Sequence, residues 1–250
     1  MSADPAAWFL SGVDDDAPIR LFCLPFAGGS AAAYVRWRTV VDKRIAVVPV
    51  QLPGRGARIR EEPLERMDDL ADQLAAAIAP HAGRPYALFG HSMGAQLAFA
   101  TARALRREGH PPPQALFLSG RRAPQCRGPR TPLHVLTDDE LKSELRALGG
   151  TPAAVMEDDE LLDLMLPVVR ADLKAVETHT HRPEPPLDCP IRMFGGTRDS
   201  IPREDLVAWA EHTAAGFELT MYPGGHFFIN EHHPAMLRII GEALSATSPM

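Results

Sequence analysis

Five residues constrain this chain more than any other stretch: Gly90-His91-Ser92-Met93-Gly94. The apolar run just before them, 86–89, reads as a short buried strand. After them Ala, Leu and Phe recur at helical spacing to about residue 108. A strand that passes so abruptly into a helix must bend sharply. The residue at the bend takes strained dihedrals, and side chains two positions to either side would collide with neighbouring backbone. Glycines at 90 and 94 remove both collisions. The bend holds the Ser92 hydroxyl clear of its own backbone, at a helix N-terminus where unpaired N–H groups and the helix dipole favour negative charge. G-x-S-x-G in a strand–turn–helix setting is the mark of a nucleophile elbow. Without that setting the same five letters also occur in Gly-rich loops.

The rest of the chain builds around this bend. Apolar runs at 19–24, 45–50, 86–90, 115–119, 191–194 and 217–222 read as buried strands. Helical patterns fall between them at 34–41, at 67–79 with Leu70, Leu74 and Ile78 on one face, and at 93–108. A further helix is expected over 203–214, and a closing one begins at Pro234. Repeated alternation predicts an α/β class, with a mostly parallel sheet covered by helices on both faces. With 250 residues, 45% of them hydrophobic, the chain reads as one domain, 1–250. The alternation breaks at 121–188, where no strand is legible. Thr137-Asp-Asp-Glu140 is a capping box opening a helix that Gly149-Gly150 ends. Pro167 starts or kinks another. Such an insertion between sheet strands would lie over their C-terminal ends as a helical lid. Its Leu161, Leu162, Leu164, Met165 and Leu166 are expected to supply core packing, with some apolar surface left for a ligand.

A serine nucleophile needs a base, and the base needs an orienting acid. In hydrolases built on this elbow the chain order is Ser, Asp or Glu, His. Asp199 and His226 keep that order, and each follows a predicted strand, so both fall on the elbow's edge of a parallel sheet. His226 also follows two glycines. Among ten histidines, His91 adjoins the nucleophile but should point away from it; His179 and His181 precede the last two strands, and His232 and His233 lie beyond them. Asp205 and Asp188 are the nearest rivals of Asp199. The oxyanion donors expected are the N–H of Met93 and, by likeness to the loop after the first strand in these hydrolases, that of Ala27.

Taken together and in order, Pro25-Phe-Ala-Gly-Gly29, Leu52-Pro-Gly-Arg55, Gly90-His-Ser-Met-Gly-Ala95, Gly195-Gly-x-x-Asp199 and Gly225-His-Phe-Phe228 resemble a type II thioesterase. These are the free-standing α/β-hydrolases that accompany polyketide and nonribosomal peptide synthases. The resemblance spans about residues 17–245. It implies hydrolysis of aberrant or stalled acyl thioesters from the phosphopantetheine arm of acyl or peptidyl carrier proteins, through Ser92, Asp199 and His226. It implies substrate contacts from Phe26, His91 and Phe227, with neither cofactor nor metal. Arg55, Arg58, Arg121, Arg122, Arg127 and Arg130 are candidates to meet an acidic carrier, although any one of them taken alone reads better as a solvated arginine. A general carboxylesterase or acyl-CoA hydrolase would use the same triad, and a non-catalytic ligand-binding relative would keep the fold alone. The net charge of −6 argues against nucleic acid as a partner. No apolar run is long enough to span a bilayer. Three separated cysteines and the lack of a signal peptide lead us to expect a cytoplasmic protein, and a monomer.

Overall fold

The alternate residues of each strand divide between two apolar layers, and that division builds the molecule. The computed structural model describes residues 5–14, 16–128, 131–150 and 158–246. Its strands are β1 (Ile19–Leu24), β2 (Ile45–Pro49), β3 (Tyr86–His91), β4 (Leu116–Ser119), β5 (Ile191–Gly196) and β6 (Phe217–Tyr222). They form one sheet in the order β2-β1-β3-β4-β5-β6, every neighbouring pair parallel. The α-helices are α1 (Met67–Ile78), α2 (Met93–Arg107), α3 (Asp138–Leu148), α4 (Asp159–Glu177), α5 (Arg203–Val207) and α6 (Ile229–Ala246).

On one face Phe22, Leu24, Val48, Leu88, Leu116, Leu118 and Met193 pack with Leu70 and Leu74 of α1 and Leu97 and Leu105 of α2. On the other, Leu21, Cys23, Val47, Ala87, Phe89, Phe117 and Phe194 pack with Tyr34, Trp37 and Leu237, Ile240 and Leu244 of α6. Burying each such large apolar side chain contributes roughly 1.5–3 kcal/mol. Both faces are covered, as the unbroken apolar runs required. The outer edge at β2 is partly closed by the N-terminal segment, where Leu10 N–H donates to Pro49 C=O at 3.3 Å and Gln51 N–H to Trp8 C=O at 2.8 Å.

Three helices differ from their expected form. The segment expected as a helix over 34–41 is a 3₁₀ helix, Ala31–Thr39. Its buried residues are Ala31, Tyr34 and Trp37, and a three-residue period stacks those positions directly above one another on one side. Helix α6 begins at Ile229, so Pro234 lies inside it rather than at its start. The ring of Pro234 leaves the Asn230 carbonyl without its usual amide, and His233 Nδ1 donates to it at 3.2 Å. The helix expected over 203–214 is α5 followed by a 3₁₀ turn, Ala208–His212.

Between β4 and β5 the described residues carry a 3₁₀ turn, Leu133–Val135, then α3 and α4, and no strand of the sheet. Thr137 and Glu140 form the reciprocal capping box, and Gly149 ends α3 at φ +73°. Pro167 does not start a helix but lies inside α4, whose 19 residues continue on both sides of it. Glu177 ties α4 to the turn by accepting from the Leu133 and His134 N–H groups at 2.8 and 3.0 Å. A small cluster of Leu141, Leu166 and Val169 with Leu133, Leu136, Leu145 and Leu173 holds the insertion together. Of the expected apolar stripe, Leu162 and Leu166 are buried, while Leu161 and Leu164 are exposed. Among the described residues no helix is long and apolar enough to cross a membrane.

Candidate active site

Ser92 has φ +55° and ψ −115°, and among the described residues it is the one non-glycine with positive φ. Such a conformation costs of order 1–3 kcal/mol and persists only where the surroundings enforce it. Here they do. A Cβ on Gly90 would lie 2.0 Å from the Gly94 carbonyl oxygen, and one on Gly94 would lie 2.3 Å from the Leu24 carbonyl oxygen. The first turn of α2 is thus pressed against the end of β3 on one side and of β1 on the other. Ser92 N–H donates to Ser119 C=O at the end of β4, 2.8 Å away. The bend is clamped between three strand ends, and the hydroxyl stands above them.

The loops after β5 and β6 meet beside it. A Cβ on Gly196 would lie 2.5 Å from the Gly225 carbonyl oxygen, so the two backbones touch. Thr197 N–H donates to Tyr222 C=O and Arg198 N–H to Gly224 C=O, both at 2.8 Å. This seam brings Asp199 and His226 together. His226 Nδ1 donates to Asp199 Oδ2 at 2.9 Å, and the second carboxylate oxygen accepts the Ile201 N–H at 3.4 Å. With its proton on Nδ1, the neutral ring offers Nε2 as acceptor to the Ser92 hydroxyl, 3.0 Å away. The Asp199 side chain is 3% exposed and that of His226 14%. The three residues therefore form one hydrogen-bonded chain, with a carboxylate at its buried end and a hydroxyl at its open end. Asp205 sits instead on α5, paired to Arg122 at 3.3 Å. His232 and His233 are bonded to backbone carbonyls of their own segment.

Ser92 and His226 line a cleft of about 330 Å³. Ala27, Met93 and Gln96 share its floor, and Leu133, Leu148, Leu173 and Val176 of the insertion form a wall. Met93 is the first residue of α2, so its N–H has no acceptor within the helix. Gln96 and His179 also line the cleft, and neither was singled out as a site residue from sequence. Gln96 lies three residues beyond Met93, one helical turn along the same face, which was the available signal. His179 had no such signal, because its place depends on where the insertion returns to the sheet.

The remaining expected contacts separate. His91 is fully buried, with Nδ1 3.0 Å from Ser119 Oγ, and does not line the cleft. Burial, reinforced by the nearby His226, holds its pKa well below the usual histidine range. The expected substrate contact at His91 is thus corrected: it is a neutral ring packed under His226, their centroids 5.0 Å apart. Strand alternation turns the residue before the bend inward. Phe227 packs edge-on to Phe26 at 5.0 Å and to His226 at 5.2 Å. Phe26 lines a second, larger cavity of about 520 Å³, with Leu145, Met165 and Val169, which shares Ala27 with the Ser92 cleft. Neither phenylalanine lines the Ser92 cleft.

The arginines divide as well. Arg55, 7% exposed, is paired to the buried Asp172, and Arg58 to Glu61 with its guanidinium over the Trp8 ring. Both are internal struts, which removes them as docking contacts. Arg121 lines the cleft and donates to Gln96 at 2.5 Å; burial, with Arg122 close by, lowers its pKa to about 10 against the pull of Glu177. Arg122 lines the cleft too, and Arg127 is exposed. Arg130 lies outside the described residues. Among the described residues no three His, Cys, Asp or Glu side chains gather as metal ligands.

Residues 19–244 match the family model described as "Thioesterase domain". The gramicidin S biosynthesis protein GrsT of Aneurinibacillus migulanus is 39% identical over 239 residues, 95% of this chain and 93% of that one. Among solved structures, the RedJ thioesterase from the prodiginine pathway of Streptomyces coelicolor superposes with a TM-score of 0.87 at 44% identity, covering 92% of each chain. The type II thioesterase BorB from the borrelidin biosynthetic cluster gives 0.87 at 41% identity, covering 95% of this chain and 98% of that one. The α/β-hydrolase architecture expected from the motifs is borne out by these neighbours.

Proposed function

The chain belongs to the thioesterase family, and from that premise we propose that it hydrolyses acyl thioesters from the phosphopantetheine arm of acyl or peptidyl carrier proteins. It thereby clears aberrant or stalled units during polyketide or nonribosomal peptide synthesis. Ser92, His226 and Asp199 are the catalytic residues. The hydrogen-bonded chain from Ser92 through His226 to Asp199, opening into a cleft, is the observation that carries this reading.

His226 Nε2 takes the hydroxyl proton as Ser92 Oγ attacks the thioester carbonyl carbon. Asp199 fixes the Nδ1–H tautomer and stabilises the imidazolium. The N–H groups of Met93 and Ala27 receive the oxyanion; loss of one such donor costs roughly 10²–10³ in rate. The C–S bond then breaks. A thiol has a reference pKa of about 8.5, so it leaves as thiolate with little help from an acid. Water, deprotonated by His226, attacks the acyl-serine and releases the free acid. Homologous proteins in antibiotic pathways support the substrate class. Residues 121–188 act as a lid within a single domain, a role supported by the leucines they set along the cleft. The cleft mouth beside Arg122 and Arg127 is the side that meets the carrier.

The test compares one acyl group on a carrier-bound pantetheine arm, on free coenzyme A and as an oxygen ester, with the intact enzyme and with Ser92→Ala. The highest kcat/KM is expected on the carrier, and turnover is lost in the variant. Equal rates on all three would make the chain a general esterase, and full activity in Ser92→Ala would overturn the mechanism.

A further inference from the structure

The loop after β1 is a tight turn, closed by one backbone bond from Gly29 N–H to Phe26 C=O at 2.8 Å. Gly28, third in that turn, has φ +73°, the left-handed value that a type II turn requires there. In a trans peptide the C=O and N–H point in opposite directions. With the Phe26 carbonyl directed into the turn, the Ala27 N–H faces out of it, and Ala27 lines the cleft with Ser92 and His226.

The turn's own bond sets its shape but not its seat. The seat comes from α4. Asp172 is fully buried there. Its Oδ2 accepts the Gly28 N–H at 2.8 Å and an Arg55 Nη1–H at 2.5 Å, and its Oδ1 accepts from Arg55 Nη2 at 2.7 Å. Arg55 Nη1 also donates to Gly29 C=O, and Nε to Pro53 C=O, both at 3.2 Å. Val169, one helical turn before Asp172, closes over the same residue: a Cβ on Gly28 would lie 2.6 Å from its Cγ2. The peptides on either side of the Gly28–Gly29 unit are thus held from the insertion, the one before it by the carboxylate and the one after it through its guanidinium partner. Cohesion does not account for this pair. Burying a carboxylate and a guanidinium is costly, and apolar replacements of equal volume are often neutral or stabilising. An acceptor fixed opposite the Gly28 N–H is what an apolar pair could not supply.

We propose that Asp172 is a positioning residue for the oxyanion hole: from α4 it seats Gly28 directly and Gly29 through Arg55, and so aims the Ala27 N–H at the thioester oxygen. The helical insertion then does more than wall the cleft, since it also sets the geometry of one oxyanion donor. This rests on the assignment of Ser92 as nucleophile and Ala27 as donor.

The test uses the full chain with Asp172→Asn and with the double variant Arg55→Met/Asp172→Leu, which removes both charges together and so leaves neither buried without its partner. Folding is checked by thermal melting. Steady-state kinetics are read on an acyl-pantetheine thioester, and affinity on phenylboronic acid. Boron bonds to Ser92 Oγ, the hydroxyl proton passes to His226, and the anionic boronate places an oxygen in the hole. In the double variant kcat is expected to fall about 10–10²-fold, since small misplacements cost up to that much. Boronate affinity should fall by a similar factor, KM should stay within about twofold, and Asp172→Asn should lose less because its amide oxygen can still accept from Gly28. A folded double variant with native kcat and native boronate affinity would overturn the proposal, as would a loss confined to KM. Ser92→Ala run alongside separates the two levels: activity there defeats the proposed mechanism, whereas an indifferent Asp172 with an inactive Ser92→Ala defeats only the positioning role.

Discussion

Ser92 stands where it does because two glycines let three backbones approach more closely than any Cβ would allow. Gly94→Ala would place a methyl group 2.3 Å from the Leu24 carbonyl oxygen, so either the first turn of α2 or the end of β1 must move. Both carry proposed oxyanion donors, Met93 directly and Ala27 just beyond β1. We expect Gly94→Ala to lower kcat by about 10² or more, in line with the cost of displacing reacting groups by about 1 Å, together with a lower melting temperature. A variant with native kcat would show that the hole tolerates a shifted elbow. His91 teaches a related lesson. It neighbours the nucleophile in sequence, yet its burial makes it a support for the His226 ring rather than a contact for substrate.

At the scale of elements, α4 connects the sheet edge to the chemistry, since it carries Val169 and Asp172 against the loop after β1 and Leu173 and Val176 along the cleft. Pro167 lies exposed in its interior and leaves the Asp163 carbonyl without an i+4 amide. Replacing it with alanine restores that bond and removes the clash of the ring, a difference of up to about 3 kcal/mol on helix propensities, which already include the freer unfolded chain. Pro167→Ala is therefore expected to raise the urea midpoint, by up to about 3 kcal/mol of stability. A lower midpoint would mean that α4 needs a bend at Pro167 to seat Asp172. The sequence left open whether this proline starts a helix or lies within one, because a proline reads as a boundary unless packing on both sides carries the helix through. The capping box of α3, a purely local device, was legible in full.

Across the whole molecule, stability should depend on pH through histidines kept neutral by burial. His212 is lowered to about 4 by burial, with His181 and Arg103 adding to it, and His91, His179 and His181 are lowered by burial in the same direction. Between pH 6.5 and about 4 the unfolded chain binds a proton at His212 that the folded chain refuses, so stability falls as pH falls through that window. Glu184 acts with the same sign at lower pH: burial raises its pKa, but hydrogen bonds from Arg103 and Arg106 and the charge of Arg107 outweigh that and hold it at about 2. Its stabilisation is present above the usual glutamate range and is lost on further acidification. Urea midpoints are expected to be lower at about pH 5 than at about pH 7.5, and His212→Gln should narrow the gap. A midpoint that rises on acidification would contradict this account.

The sequence by itself determined whatever depends on local patterning. Six apolar runs with helices between them meant a parallel sheet buried on both faces, because such strands have no polar side to expose. Gly90, Ser92 and Gly94 meant a strained bend, because only glycine permits backbones to touch. The order Ser92, Asp199, His226, each just after a strand of one parallel sheet, placed all three on one sheet edge. Tertiary structure alone decided the rest, because those outcomes depend on distances between segments far apart in the chain. It turned Arg55 inward to a carboxylate 117 residues away, set Phe26 in a second cavity rather than in the Ser92 cleft, and brought His179 to the cleft. Asp172 marks the boundary between the two. It lies on a helix that the sequence announced, but its burial and its partners, Arg55 and the Gly28 N–H, come from two other loops that only the folded chain assembles.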